Sequence, residues 1–183
     1  MSETADRFAT AAAGFTKTVR TVDAGAWDNP SPCTGWNARD IVRHVVEWVP
    51  GFYGSNANLT FPEGPSVDDD PLGAWTAMRD EIVRVLADPV VCAREFYSQA
   101  GRMSVEQSIG MIVTGDVLIH TWDLARATGT DEALDPVEVH RMFEGVQPFD
   151  QILRSSGQFG ERVMVADTAD EQTKLLAFMG RQP

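Results

Sequence analysis

A chain of 183 residues is long enough for one domain with a self-sufficient core, and its formal charge of −12 with a pI near 4.5 argues against partners such as nucleic-acid phosphate or anionic lipid. Its two cysteines, Cys33 and Cys92, lack CxxC spacing and suggest reduced thiols in a cytosol rather than a disulfide framework. No run approaches the roughly 18 apolar residues of a membrane span, and Glu3, Asp6 and Arg7 do not open a secretory signal, so a cytoplasmic protein without membrane association is expected.

In chain order, the recurrence of Phe8, Ala11, Ala12, Phe15, Val19 and Val22 predicts an amphipathic helix over about residues 3–22. The turn-forming run from Asp28 to Gly35, with Pro30 and Pro32, ends it, and Asn37 with Asp40 three residues on marks a second helix over about 38–49. The segment from Pro50 to Pro71, with its acidic run Asp68-Asp69-Asp70, reads as a long loop, either a functional lid or a mobile connection. Trp75, Met78, Ile82, Val85 and Leu86 then give a third helix that Asp88-Pro89 stops, and residues 90–103 read as irregular.

Ser104 and Gln107 form a capping-box pattern that opens the longest helix, whose apolar stripe runs through Ile109, Ile112, Val113, Val117, Leu124 and Ala127 to Gly129. Pro136 suits the first turn of a fifth helix ending near Gly145 and Pro148. A short strand over 161–165 and a last helix capped by Thr168 with Glu171 complete the chain. Four long amphipathic segments predict a mainly α fold, an antiparallel helix bundle with irregular additions, in one domain spanning 1–183.

Chemistry concentrates in the stretch Gly115–Gly129. Asp116 and His120 stand four residues apart, one above the other on the apolar stripe, and so point inward, where an unpaired carboxylate is costly. A metal ion would resolve that cost, and so would a hydrogen-bonded core pair in an empty bundle. The metal reading needs a third ligand. Of the three histidines, His44 lies among Ile41, Val45 and Trp48 on the helix expected to pack against the long one, whereas His140 beside Glu138 and Arg141 reads as a surface residue. Two imidazoles and a carboxylate would leave positions open for water or substrate, unlike a closed structural zinc site. Asp123 could accept the second N–H of His120 or pair with Arg126; Trp36 and Trp122 are candidates to wall the cavity, although tryptophans more often fill the core; Cys33 reads as a packing residue.

The block Pro30-Ser31-Pro32-Cys33-Thr34-Gly35-Trp36-Asn37-Ala38-Arg39-Asp40-Ile41-Val42-Arg43-His44-Val45-Val46, with Gly115–Gly129 and the closing Leu175–Arg181, resembles actinobacterial proteins related to the N-terminal domain of mycothiol-dependent maleylpyruvate isomerase, within the wider DinB-like superfamily. The resemblance implies a DinB-like four-helix bundle with a divalent metal, zinc first and nickel or iron as alternatives. By that pattern His44, Asp116 and His120 are the ligands; the isomerase carries glutamate at the acidic position, where this chain has the shorter Asp116. The separate C-terminal domain of the isomerase has no counterpart in these residues, which points away from that exact activity.

The function so implied is metal-dependent use of a low-molecular-weight thiol of the mycothiol type on a small electrophile, as a transferase or isomerase. The alternatives are a non-catalytic, stress-related module that binds metal or a small ligand, and a metal-assisted hydrolase. The resemblance also admits a homodimer.

Overall fold

Phe8, Ala11, Ala12, Phe15 and Val19 form the buried face of helix α1, Glu3–Thr21, as their spacing predicts. Ser2 caps it by accepting from the Ala5 N–H, and Glu3 and Asp6 put negative charge at its positive end. After a 3-10 turn at Ala24–Ala26, helix α2, Ala38–Ala57, opens with a reciprocal capping box in which Asn37 Oδ1 accepts from the Asp40 N–H at 2.9 Å and Asp40 Oδ2 from the Asn37 N–H at 3.0 Å.

The expected end of this helix at Val49 is overturned, because α2 runs through Pro50 to Ala57. An interior proline costs about 3 kcal/mol through its missing N–H and its clash with the preceding turn. Burial of Val49, Tyr53 and Ala57, and the 2.6 Å hydrogen bond between the Tyr53 hydroxyl and Ser108 Oγ, offset that cost. The long loop is correspondingly shorter, and it is anchored: Val67 is buried, Arg39 donates to the Val67 and Asp68 carbonyls, and Arg43 pairs with Asp68 at 2.7 Å.

Helix α3, Pro71–Leu86, is capped by Asp70, which accepts from the Gly73 N–H. Its Trp75 stands edge-on to Phe15 with ring centroids 4.8 Å apart and donates its indole N–H to Thr16 Oγ1 at 2.8 Å, which seams α3 to α1. The stretch expected to be irregular instead carries α4, Pro89–Cys92, and an antiparallel pair, β1 (Glu95–Ser98) with β2 (Gly101–Ser104), in which Phe96 faces Met103. Each strand buries one hydrophobic residue, so no period-2 alternation is visible in the sequence. Residues 99 and 100, part of that expectation, lie outside the described residues.

The Ser104–Gln107 capping box forms as expected and opens α5, Val105–Ser108. The anticipated continuous helix is then interrupted by a π-helical turn, Ile109–Val113, before α6, Thr114–Thr128, ends at left-handed Gly129. Thr114 Oγ1 donates to the Ile109 carbonyl across the wide turn at 2.9 Å. Ile109, Val113 and Val117 remain buried across it, while Met111 is 61% exposed and Ile112 only partly buried.

The computed structural model describes residues 2–98, 101–155, 157 and 159–183, and their packing separates two units, Met1–Glu132 and Ala133–Pro183. In the first, α1 and α2 each pack against both α3 and α6, around a core that includes Phe8, Phe15, Val45, Trp75, Ile82, Val113 and Val117. The chain is mainly α, as the sequence predicts.

In the second unit, α7 (Pro136–Val146) is capped by Asp135 and packs on α9 (Glu171–Phe178); a 3-10 turn at Gln147–Phe149 and α8 (Asp150–Ser155) follow α7. The expected strand over 161–165 does not form: its backbone is irregular, Met164 is 92% exposed, and Val163 donates its N–H to the Ala177 carbonyl. Asp170, not Thr168, caps α9, its carboxylate accepting from the Thr173 N–H at 2.7 Å.

Candidate metal centre

Packing of α2 against α6 brings His44 from the first to Asp116 and His120 on the second. His44 Nε2 and His120 Nε2 each lie 3.4 Å from Asp116 Oδ1, and the three atoms fall within 4.8 Å of one another. The His120 side chain is 8% exposed, while His44 and Asp116 are 29% and 23% exposed, so solvent reaches the group rather than being sealed out of it.

The neighbours fix these atoms. Trp48, one turn beyond His44 on α2, donates its indole N–H to Asp116 Oδ2 at 2.9 Å, which leaves Oδ1 turned toward the imidazoles. Asp123, one turn beyond His120 and fully buried, accepts from His120 Nδ1 at 3.0 Å. That bond places the imidazole proton on Nδ1 and leaves the Nε2 lone pair for a ligand role. Trp36 lies 4.9 Å from the His44 ring and 5.9 Å from that of His120, the latter at an interplanar angle of 28°, and so lines the site.

Trp122 is not brought there. It lies two residues from His120, about 200° around the helix, and its buried ring carries the Arg126 guanidinium at 4.7 Å. His140 is exposed and paired with Glu171 in the second unit.

Two contributors escape a reading of the sequence. Trp48 is visible there only as an apolar neighbour of His44, although its i+4 position on the same face is a usable signal. Cys33 reads as packing, yet its half-buried thiol donates to Asp123 Oδ2 at 3.4 Å, and nothing in the residue spacing marks that contact.

The donor geometry tests the fit of an ion. Four-coordinate zinc at about 2.0–2.1 Å from each donor places neighbouring donors about 3.3 Å apart. The two 3.4 Å separations around Asp116 Oδ1 match that spacing and are longer than ordinary N–H···O hydrogen bonds of about 2.7–3.2 Å. The residues therefore fit a divalent ion, and two imidazoles with one carboxylate form a donor set that leaves a position open.

Without an ion the same groups behave as a coupled acid and base. Burial raises the Asp116 carboxyl, but the His120 charge and the hydrogen bonds from His120 and His44 outweigh it and hold the group well below the usual carboxylate range. Burial lowers His120, but Asp116, with the hydrogen bonds to Asp116, Asp123 and Cys33, raises it well above the ordinary histidine value. A folded pKa above the unfolded one contributes stability that is complete below about pH 6.5 and is lost as pH rises through the raised value. Metal-free protein is therefore expected to unfold at lower urea concentration as pH climbs from about 6.5 into the alkaline range; a flat profile there would show that the pair is not ionised.

A mainly helical unit that brings two histidines and a carboxylate together is the part of the chain in which the family match falls. Over residues 8–125 the chain matches the family model described as the mycothiol maleylpyruvate isomerase N-terminal domain, and it belongs to that family. It is also similar to two uncharacterized proteins of Mycobacterium tuberculosis, from strains CDC 1551 / Oshkosh and ATCC 25618 / H37Rv, each 29% identical over 172 residues that cover 91% of this chain and 91% of the relative. No solved structure matches. Among the described residues no helix is long and apolar enough to cross a membrane.

Proposed function

We propose that the first unit holds one divalent metal ion, zinc by donor type with nickel or iron as alternatives, through His44 Nε2, Asp116 Oδ1 and His120 Nε2, and uses it to present a low-molecular-weight thiol to a small electrophile. Family membership supplies the thiol class, mycothiol, and a mycothiol-dependent transfer or isomerisation is the corresponding reaction. The observation that carries the reading is the pair of 3.4 Å separations around Asp116 Oδ1. An ion at this site would supply Lewis acidity that lowers the pKa of an entering thiol toward neutrality.

The chain's own residues do the rest. Asp123 keeps the His120 proton on Nδ1, Trp48 aims the Asp116 carboxylate, and Trp36 sets an apolar ring beside both imidazoles. The thiol gives up its proton to solvent and its sulfur bonds to the electrophilic carbon; in a transfer the leaving group departs from that carbon with its bonding pair, and in an isomerisation a C=C π bond opens to a carbanion conjugated with a carbonyl and re-forms as the thiolate is expelled, so no side chain is needed as nucleophile. The free cysteines fit a reducing cytoplasm, where such thiols are held reduced.

Protein purified without a histidine tag is expected to carry near-stoichiometric metal and to consume mycothiol, metal-dependently, with a member of an electrophile panel. Protein that arrives metal-free and takes up no added ion would overturn the site; tight thiol binding without consumption would overturn the transfer chemistry. Trp48→Phe, which frees Asp116 Oδ2, is expected to weaken zinc about tenfold in a chelator competition while the metal-free protein keeps its unfolding midpoint.

A further inference from the structure

We propose that Cys33 is a positioning residue of the metal centre, acting on His120 through Asp123 and through its own thiol, which lies within 4.8 Å of a ring nitrogen of His120 and a carboxylate oxygen of Asp123; the inference rests on the metal-binding reading above. The turn that carries Cys33 is fixed from both sides. Pro30 and Pro32 restrict the backbone, Ser31 Oγ accepts from the Cys33 N–H at 3.2 Å, and the Cys33 carbonyl accepts from the Trp36 N–H at 3.0 Å. Gly35 takes the reversal at φ 81°, and Pro30 and Asn37 close the turn as a β-bridge that leads into the capped start of α2.

From this base the Cys33 thiol reaches Asp123 Oδ2 at 3.4 Å, the same oxygen that accepts from His120 Nδ1 at 3.0 Å. Asp123 is fully buried, and a carboxylate out of water requires donors on its oxygens. The S–H is a weak donor, but as a second donor on Oδ2 it limits rotation of the carboxyl group. With Oδ2 held, Nδ1 keeps its proton and Nε2 keeps its direction toward Asp116.

Cys92 shows how a thiol far from the centre sits in this chain. It is buried, donates to the Val85 and Leu86 carbonyls, and has its pKa raised by burial. Trp36 comes from the same turn as Cys33, so one loop braces His120 at its ring face and, through Asp123, at Nδ1.

The test compares wild type, Cys33→Ala and Cys33→Ser in zinc affinity by chelator competition, in the optical spectrum of the cobalt-substituted protein, and in solvent exchange of the His120 Nδ1–H followed by NMR. Cys33→Ala is expected to bind zinc about three- to tenfold more weakly, at or below the lower edge of what loss of an outer partner costs, with faster exchange of that proton and a small drop in the unfolding midpoint of the metal-free protein, since buried Asp123 loses one donor. Cys33→Ser, which restores a donor, is expected to recover most of the affinity. Zinc binding by Cys33→Ala equal to wild type, or by Cys33→Ser as weak as by Cys33→Ala, would overturn the role. A sulfur-to-cobalt charge-transfer band in wild type that is lost in Cys33→Ala would make Cys33 a ligand and overturn it too. Wild type that binds no zinc would remove the metal-binding reading itself, an outcome distinct from these.

Discussion

His120→Ala is expected to weaken zinc by at least about a hundredfold, since one of three protein ligands disappears from a total that reaches about 10–16 kcal/mol in four-ligand sites. Its effect on the metal-free fold is also large. His120 bonds Asp116 on one side and Asp123 on the other, and Asp123 is fully buried. Removing one partner of a buried charged pair costs about 3–5 kcal/mol, because the remaining charge is left uncompensated. Circular dichroism and urea unfolding separate the two effects. If the variant fails to fold, His44→Ala gives the same test on a half-exposed ligand, with loss of zinc and little loss of stability expected. Unchanged metal content in a folded His44→Ala would reject the ligand assignment.

Trp75→Ala is expected to cost about 3–5 kcal/mol, the range for emptying a well-packed aromatic site. The indole is wholly buried, stands edge-on to Phe15, and satisfies Thr16 Oγ1 with its N–H, so the variant creates a cavity and strips a buried hydroxyl of one partner. Trp75 belongs to the seam between α1 and α3 and makes none of the contacts that hold His44, Asp116 or His120. A urea-unfolding shift of that size, with zinc affinity retained under conditions where the variant is folded, would separate scaffold from centre; a shift below about 1 kcal/mol would contradict the tight packing of this seam.

The legible parts of the sequence are those whose signals are local or periodic. The face of α1, both capping boxes at Asn37 and Ser104, and the Gly129 stop are read from spacing and from residues that satisfy helix ends within one turn. Asp116 and His120 are legible for the same reason, since four residues on a helix is a contact. His44 comes through family resemblance, because its pairing with Asp116 spans 72 positions and depends on how α2 packs on α6.

Where the sequence misleads, long-range burial wins over local preference. Pro50 signals a helix end, yet Tyr53 and Ala57 beyond it bury against the core and keep α2 intact. The π turn at Ile109–Val113 leaves no compositional trace, because Ile109, Val113 and Val117 stay buried through it. The β1–β2 pair is too short for alternation to show, and the 161–165 run, though rich in valine and methionine, has no partner strand among the described residues. Cys33 looks like packing because its contact with Asp123 spans 90 positions.

The central claim is that His44, Asp116 and His120 meet on one ion. X-ray absorption of zinc-loaded, tag-free protein tests it most directly. The expected first shell holds only nitrogen and oxygen at about 2.0–2.2 Å, with outer-shell scattering from two imidazoles; a sulfur scatterer at about 2.3 Å, or a single imidazole, would contradict it.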